Sequence, residues 1–146
     1  VGCPPTRVGT HNLGARSEEA HKANLAVLEE TKAYGFAFTS DGYTSKANTQ
    51  LHNHIILTTK GPVLWALQDV TAKGSTAEDI AQEIEEVWDS VPASLKERII
   101  LGISDTPSAN QKMWRLMEER YPGTYWIGCM AHEVSMHLKK HAAQQT

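Results

Sequence analysis

The chain has 146 residues, enough for one domain with a sizeable core. It is 40% hydrophobic and 21% charged, as ordinary globular proteins are, and no apolar run approaches the roughly 20 residues of a membrane span, so no membrane partner is expected. A formal net charge of −3 excludes a basic clamp over the whole surface, though not an enzyme that meets DNA locally through bound cations.

Cys3 and Cys129 are the two cysteines, too sparse a set for a disulfide framework, and a reducing compartment, nuclear or otherwise intracellular, is expected. The first residue is Val1 and not Met, so the reading allows for a removed leader or upstream domain. Residues 1–16, rich in Gly and Pro without a period, read as an extended arm, and 17–146 as the domain. "SEEAHKANLAVLEETKAYG" reads as a helix capped by Ser17 and stopped by Gly35, with Ala20, Leu25, Leu28 and Tyr34 as core contacts. "FAFTSD" is a short strand that ends at Asp41, with Asp41-Gly42 opening a turn. "QLHNHIILTT" and "VLWALQDV" are the next two strands, spaced as an antiparallel meander.

The period then changes. In "STAEDIAQEIEEVWDSV", Ser75 and Glu78 fit a capping box, and Ile80, Ile84, Val87, Trp88 and Val91 share one helical face. "RIILGISD" is a nearly continuous apolar run, expected to be a strand buried on both faces, and it too ends in an acid, Asp105. Thr106-Pro107 opens the helix "SANQKMWRLMEER", "TYWIGCM" is a fifth strand, and "AHEVSMHLKKH" is a final helix. From residue 36 onward the order is βββαβαβα. That is the order of the ribonuclease-H-like α/β fold, a five-stranded mixed sheet whose first and fourth strands lie parallel and adjacent, here after an N-terminal helix. Ligands collect at the carboxyl ends of such strands.

Taken singly, Asp41 is a turn residue and Asp105 a helix cap. Taken together in this topology, they are a pair of hard oxygen ligands for Mg²⁺ or Mn²⁺, and two such ions can drive phosphodiester displacement. "SDGYTS" resembles the "DGWT" box, and "GISDTPSANQKMWRLMEERYPGTYWIGCMAHEVSMHL" resembles the stretch running from the second Asp to the C-x-x-H element, of the hAT-superfamily transposase catalytic domain, in the subgroup named for a domain of unknown function. "PPTR" is similar to that group's Pro-Ser-Arg entry, so the likeness spans most of the chain. The resemblance implies that Asp41 and Asp105 are the first two members of a DDE triad. It also implies that Cys129, His132 and Thr44 lie where DNA is contacted.

The departures are Thr106 for the family's Asn, Pro107 for Ala, Tyr43 for Trp, and Ser135 after the C-x-x-H. The family's catalytic Glu lies beyond a helical insertion that these residues do not include, so the triad is incomplete here. Glu133, at the start of the last helix, is the local candidate for third acid, with Glu78 and Asp79 behind it. A zinc set of Cys129, His132, His137 and His141 is rejected, because the later histidines run away along a helix. His52 and His54 read as surface residues, and Trp65, Trp88, Trp114 and Trp126 as packing rather than base stacking. The reading therefore has two main branches. One is a transposase-like core acting on DNA. The other is an inactive, transposon-derived module for a protein partner or regulation, with room for an oligomer; a weaker third is a small stand-alone nuclease using Glu133 as the third acid.

Overall fold

The computed structural model describes residues 10–143, and the side chains of 17–140. The chain is α/β. Helix α1 (Thr10–Thr31) leads through a 3₁₀ turn (Lys32–Tyr34) into strands β1 (Phe36–Thr44), β2 (Gln50–Thr58) and β3 (Gly61–Asp69). Helices α2 (Ala77–Asp89) and α3 (Ala93–Lys96) follow, then β4 (Ile99–Ser104), α4 (Ser108–Arg120), β5 (Tyr125–Gly128) and α5 (Met130–Ala143). The five strands form one mixed sheet in the order β3-β2-β1-β4-β5. β1 pairs antiparallel with β2 and parallel with β4.

Several boundaries differ from the sequence reading. Residues 10–16, expected in an extended arm, are the first turns of α1, and residues 1–9 lie outside the described residues. Of the four expected core contacts on α1, Leu28 is fully buried and Leu25 packs against the core, whereas Ala20 and Tyr34 are exposed. The chain leaves the helix at Gly35, whose φ of 75° lies in the left-handed region that glycine enters without strain.

The largest correction falls on Asp41-Gly42. β1 does not stop there but runs on to Thr44, with Asp41 opposite Asn53 and Gly42 opposite His52. The turn comes later, over Ser45–Thr49, closed by hydrogen bonds from Ser45 N to Thr49 O and from Asn48 N to Ser45 O, with Asn48 at a φ of 60°. Asn, like Gly, tolerates that region.

The cap of α2 also moves by one residue. Thr76, not Ser75, is the N-cap: its hydroxyl accepts from Asp79 N, and the Asp79 carboxylate accepts from Thr76 N. Two capping-box patterns overlap in this segment, and the geometry selects the later one.

The core lies on one face of the sheet, under α1, α2 and α4. Phe38 is its centre, edge-on to Trp88 at 5.5 Å and to Trp126 at 6.3 Å. Ile84, Val87, Met113 and Met117 close over it. Trp126 lies flat against Gly102, and any side chain there would run into the indole. Trp88 and Trp126 are thus packing residues, with Trp65 and Trp114 partly buried at the margin. β4 departs from expectation, for it is covered on that face only. Among the described residues Leu101 and Ile103 are partly exposed on the other, and Leu64 and Leu67 of β3 and Ile127 of β5 are exposed.

Candidate functional site: an acidic sheet edge and its cleft

The site is built where β1 and β4 end side by side. Their parallel register pairs Thr39 with Ile103, and two further steps along each strand bring the chain to Asp41 and Asp105. Both acids therefore belong to the same edge of the sheet. They are not equivalent. Asp41 is exposed, and strand alternation turns it to the face opposite Gly42. Asp105, just past β4, lines a cleft of about 460 Å³ on the helix-covered face, together with Ser40, Thr44, His52, Lys73 and Asn110.

Asp105 is engaged from the helix that follows it: Asn110 Nδ2 of α4 donates to the carboxylate and, at 3.2 Å, to the Asp105 carbonyl. Thr106, where the family has Asn, donates its hydroxyl to Glu133. Glu133 is thereby drawn to within one residue of Asp105. Cys129 continues the β4–β5 pairing through its amide, which donates to Ser104 O at 2.7 Å. Cys129 and His132 are partly buried beside this edge, and Thr44 is exposed at the cleft rim. Glu78 is exposed, and Asp79 is committed to the cap.

Two carboxylates suit a hard cation that keeps several waters of its own, as Mg²⁺ and Mn²⁺ do, so the donor chemistry fits such an ion. Among the described residues, however, no group of three or more His, Cys, Asp or Glu is placed to hold a metal. That holds both for Asp41, Asp105 and Glu133 and for Cys129, His132 and His137. The side chain of His141 lies outside the described residues.

A buried ionic cluster lies on the cleft wall where the sequence reading expected two surface histidines. His54 is fully buried, stacked 5.7 Å from Phe38, and His52 is partly buried on the same face of β2. Between them comes Glu83 from α2, only 3% exposed. Its Oε1 lies 2.7 Å from His52 Nδ1, a hydrogen bond, and 3.2 Å from His54 Nε2, a contact without hydrogen-bond alignment.

Burial alone would push the Glu83 carboxyl upward. The two imidazoles outweigh it, with His52 the better aligned, and hold the carboxyl at about 2. The bond to Glu83 raises the His52 imidazole against its own burial, and the charges of Glu83, Asp105 and Asp41 raise it further. The field of both edge acids thus reaches His52. One signal in the sequence could have revealed the cluster. Glu83 falls at i+3 from Ile80 and beside Ile84, so a charge sits on the apolar stripe of α2 and needs a buried partner.

Gly42 has its explanation here. A Cβ on it would lie 2.8 Å from His52 Nε2 and Cδ2, so its bare backbone makes room for the imidazole. Across the cleft mouth Lys73 pairs with Glu86 at 2.6 Å. None of the helices in the described residues is long and apolar enough to cross a membrane.

Neither a protein-family model nor a curated protein matches this chain.

Proposed function

We propose that the chain is a ribonuclease-H-like polynucleotidyl-transferase core of the hAT-transposase type, acting on DNA phosphodiesters with Mg²⁺ or Mn²⁺. One observation carries the reading: the two central, parallel strands β1 and β4 each deliver an acid, Asp41 and Asp105, to the same sheet edge. The strand order supports it, since a meander followed by two parallel strands builds its ligand edge at those carboxyl ends. A bound divalent ion would activate a water or a 3′-hydroxyl and stabilise the leaving oxygen. Asp105, fixed by Asn110, would hold that ion, with Asp41 turning in from the opposite face of the same edge. Glu133, held by Thr106 next to Asp105, would have to swing off that hydroxyl to serve as a third ligand.

The test is a melt with millimolar Mn²⁺ on the wild type and on Asp41→Asn and Asp105→Asn, with nicking of supercoiled DNA as the activity readout. A stabilising shift and nicking that both variants lose are expected. A wild type whose melting temperature ignores Mn²⁺ would sink the reading.

A second reading, an inactive module for a protein partner, is favoured by a separate observation. Thr106 and Asn110 already occupy Glu133 and Asp105, while Met130, Val134 and Leu138 stand exposed along α5. Under this reading an Asp41→Asn/Asp105→Asn double variant keeps all of the protein's binding, including any self-association.

A further inference from the structure

The imidazole of His52 is fixed more firmly than a surface histidine needs to be. Glu83 reaches it from the core and accepts from Nδ1 at 2.7 Å, which keeps a proton on that nitrogen, fixes the ring plane and leaves Nε2 to donate when the ring is charged. The other nitrogen, Nε2, is left over the bare backbone of Gly42, on the wall of the cleft that Asp105 also lines. His52 keeps 29% of its side chain exposed, while Glu83 keeps 4%.

A purely structural role explains this poorly. An ion pair sunk in a core is on average no more stabilising than apolar residues of the same volume. His54, wholly inside the core, stands 3.2 Å from the same carboxylate oxygen without hydrogen-bond alignment, so the aligned bond to Glu83 comes from His52. That bond uses Nδ1 alone, and the rest of the ring lines the cleft.

The groups around it define what that material is. His52 is faced by Glu83 and His54 from within, by Asp41 and Asp105 along the sheet edge, and Lys73 stands on the cleft lining. Ser40 and Thr44 add hydroxyl donors to the same wall, while the Asn110 amide is given to Asp105. Hydroxyl donors and a charged imidazole form a surface that takes oxygens carrying negative charge, with the Lys73 ammonium, paired to Glu86, at its margin. The acids at the edge would repel such a ligand unless a cation lay between them, which is the arrangement a metal–phosphate pair provides.

We propose that His52 is a ligand-contacting residue of the cleft: with Nδ1–H held by Glu83, the protonated ring donates from Nε2 to a phosphate oxygen. The proposal deepens the phosphodiester reading and rests on it for the choice of phosphate. Glu83 is a positioning residue, since it acts on the ligand only through the imidazole.

The experiment uses ¹⁵N-labelled wild-type chain with Mg²⁺, titrated with thymidine 3′,5′-bisphosphate, and with inorganic phosphate and uncharged thymidine as separate arms. The readouts are the His52 ring nitrogens and the backbone amides of Asp105 and Asn110. His52 Nε2 is expected to move saturably with the bisphosphate, and not with thymidine. In Glu83→Gln, affinity should fall roughly tenfold, the loss of one charge-assisted hydrogen bond, while the Asn110 amide still responds. Movement with inorganic phosphate alone would assign the contact to any free phosphate, and the donor role of His52 would stand. If the bisphosphate moves Asp105 and Asn110 but leaves His52 still, the inference is overturned and the phosphodiester reading survives. If it moves none of them, both fall. The decisive readout comes from the wild type, so it does not depend on any variant folding.

Discussion

Replacing Glu83 by Gln isolates what the buried cluster does for stability. The carboxyl sits at about 2 in the folded chain against an ordinary 4.5, so its contribution is complete above pH 4.5 and lost as pH falls toward 2. The His52 imidazole is raised above its ordinary 6.5, so its contribution is complete below pH 6.5 and lost as pH rises through the folded value. The pair therefore stabilises most between pH 4.5 and 6.5. Converted at the usual rate, the carboxyl's displacement is worth at most about 3 kcal/mol. Glutamine keeps the shape and one acceptor but removes the charge. Urea unfolding of wild type and Glu83→Gln across roughly pH 4 to 9 should show a gap of about 2–3 kcal/mol that is widest in that window. The gap should narrow on the alkaline side as His52 discharges. Parallel stability curves, with a gap independent of pH, would refute the reasoning.

Two further substitutions test the geometry around the site. Gly42→Ala should cost about 1–3 kcal/mol by the same unfolding assay, because the new methyl meets the His52 ring at 2.8 Å and the ring is held from behind by Glu83; a neutral result would mean the imidazole gives way freely. Thr76→Ala should cost about 1 kcal/mol through loss of the α2 cap, while Ser75→Ala should cost little, which separates the two candidate capping boxes in one pair of melts.

The sequence by itself determined the order of the strands and the longer helices, though not the four-residue α3, because apolar periodicity is a local property that a long segment carries alone. It also determined the α2 stripe and the packing role of Trp88, since a helix face is written in residues three and four apart. It marked Asp41 and Asp105 as strand-end acids, and the parallel β1–β4 pairing does bring both to one edge. The tertiary structure decided the rest. Asp41-Gly42 carries a turn signal, yet β2 pairs along it as far as Thr44, and the gain from extending the ladder sets the turn at Ser45–Thr49 instead. The same pairing places His52 over Gly42, so glycine serves close approach rather than chain reversal. Likewise β4 is as apolar as a strand buried on both faces, but only the helix-covered face is closed, because coverage depends on where the helices pack. The Glu83 cluster joins residues some 30 positions apart across a sheet and a helix. Such a contact is fixed by register and packing, which short-range patterns do not encode.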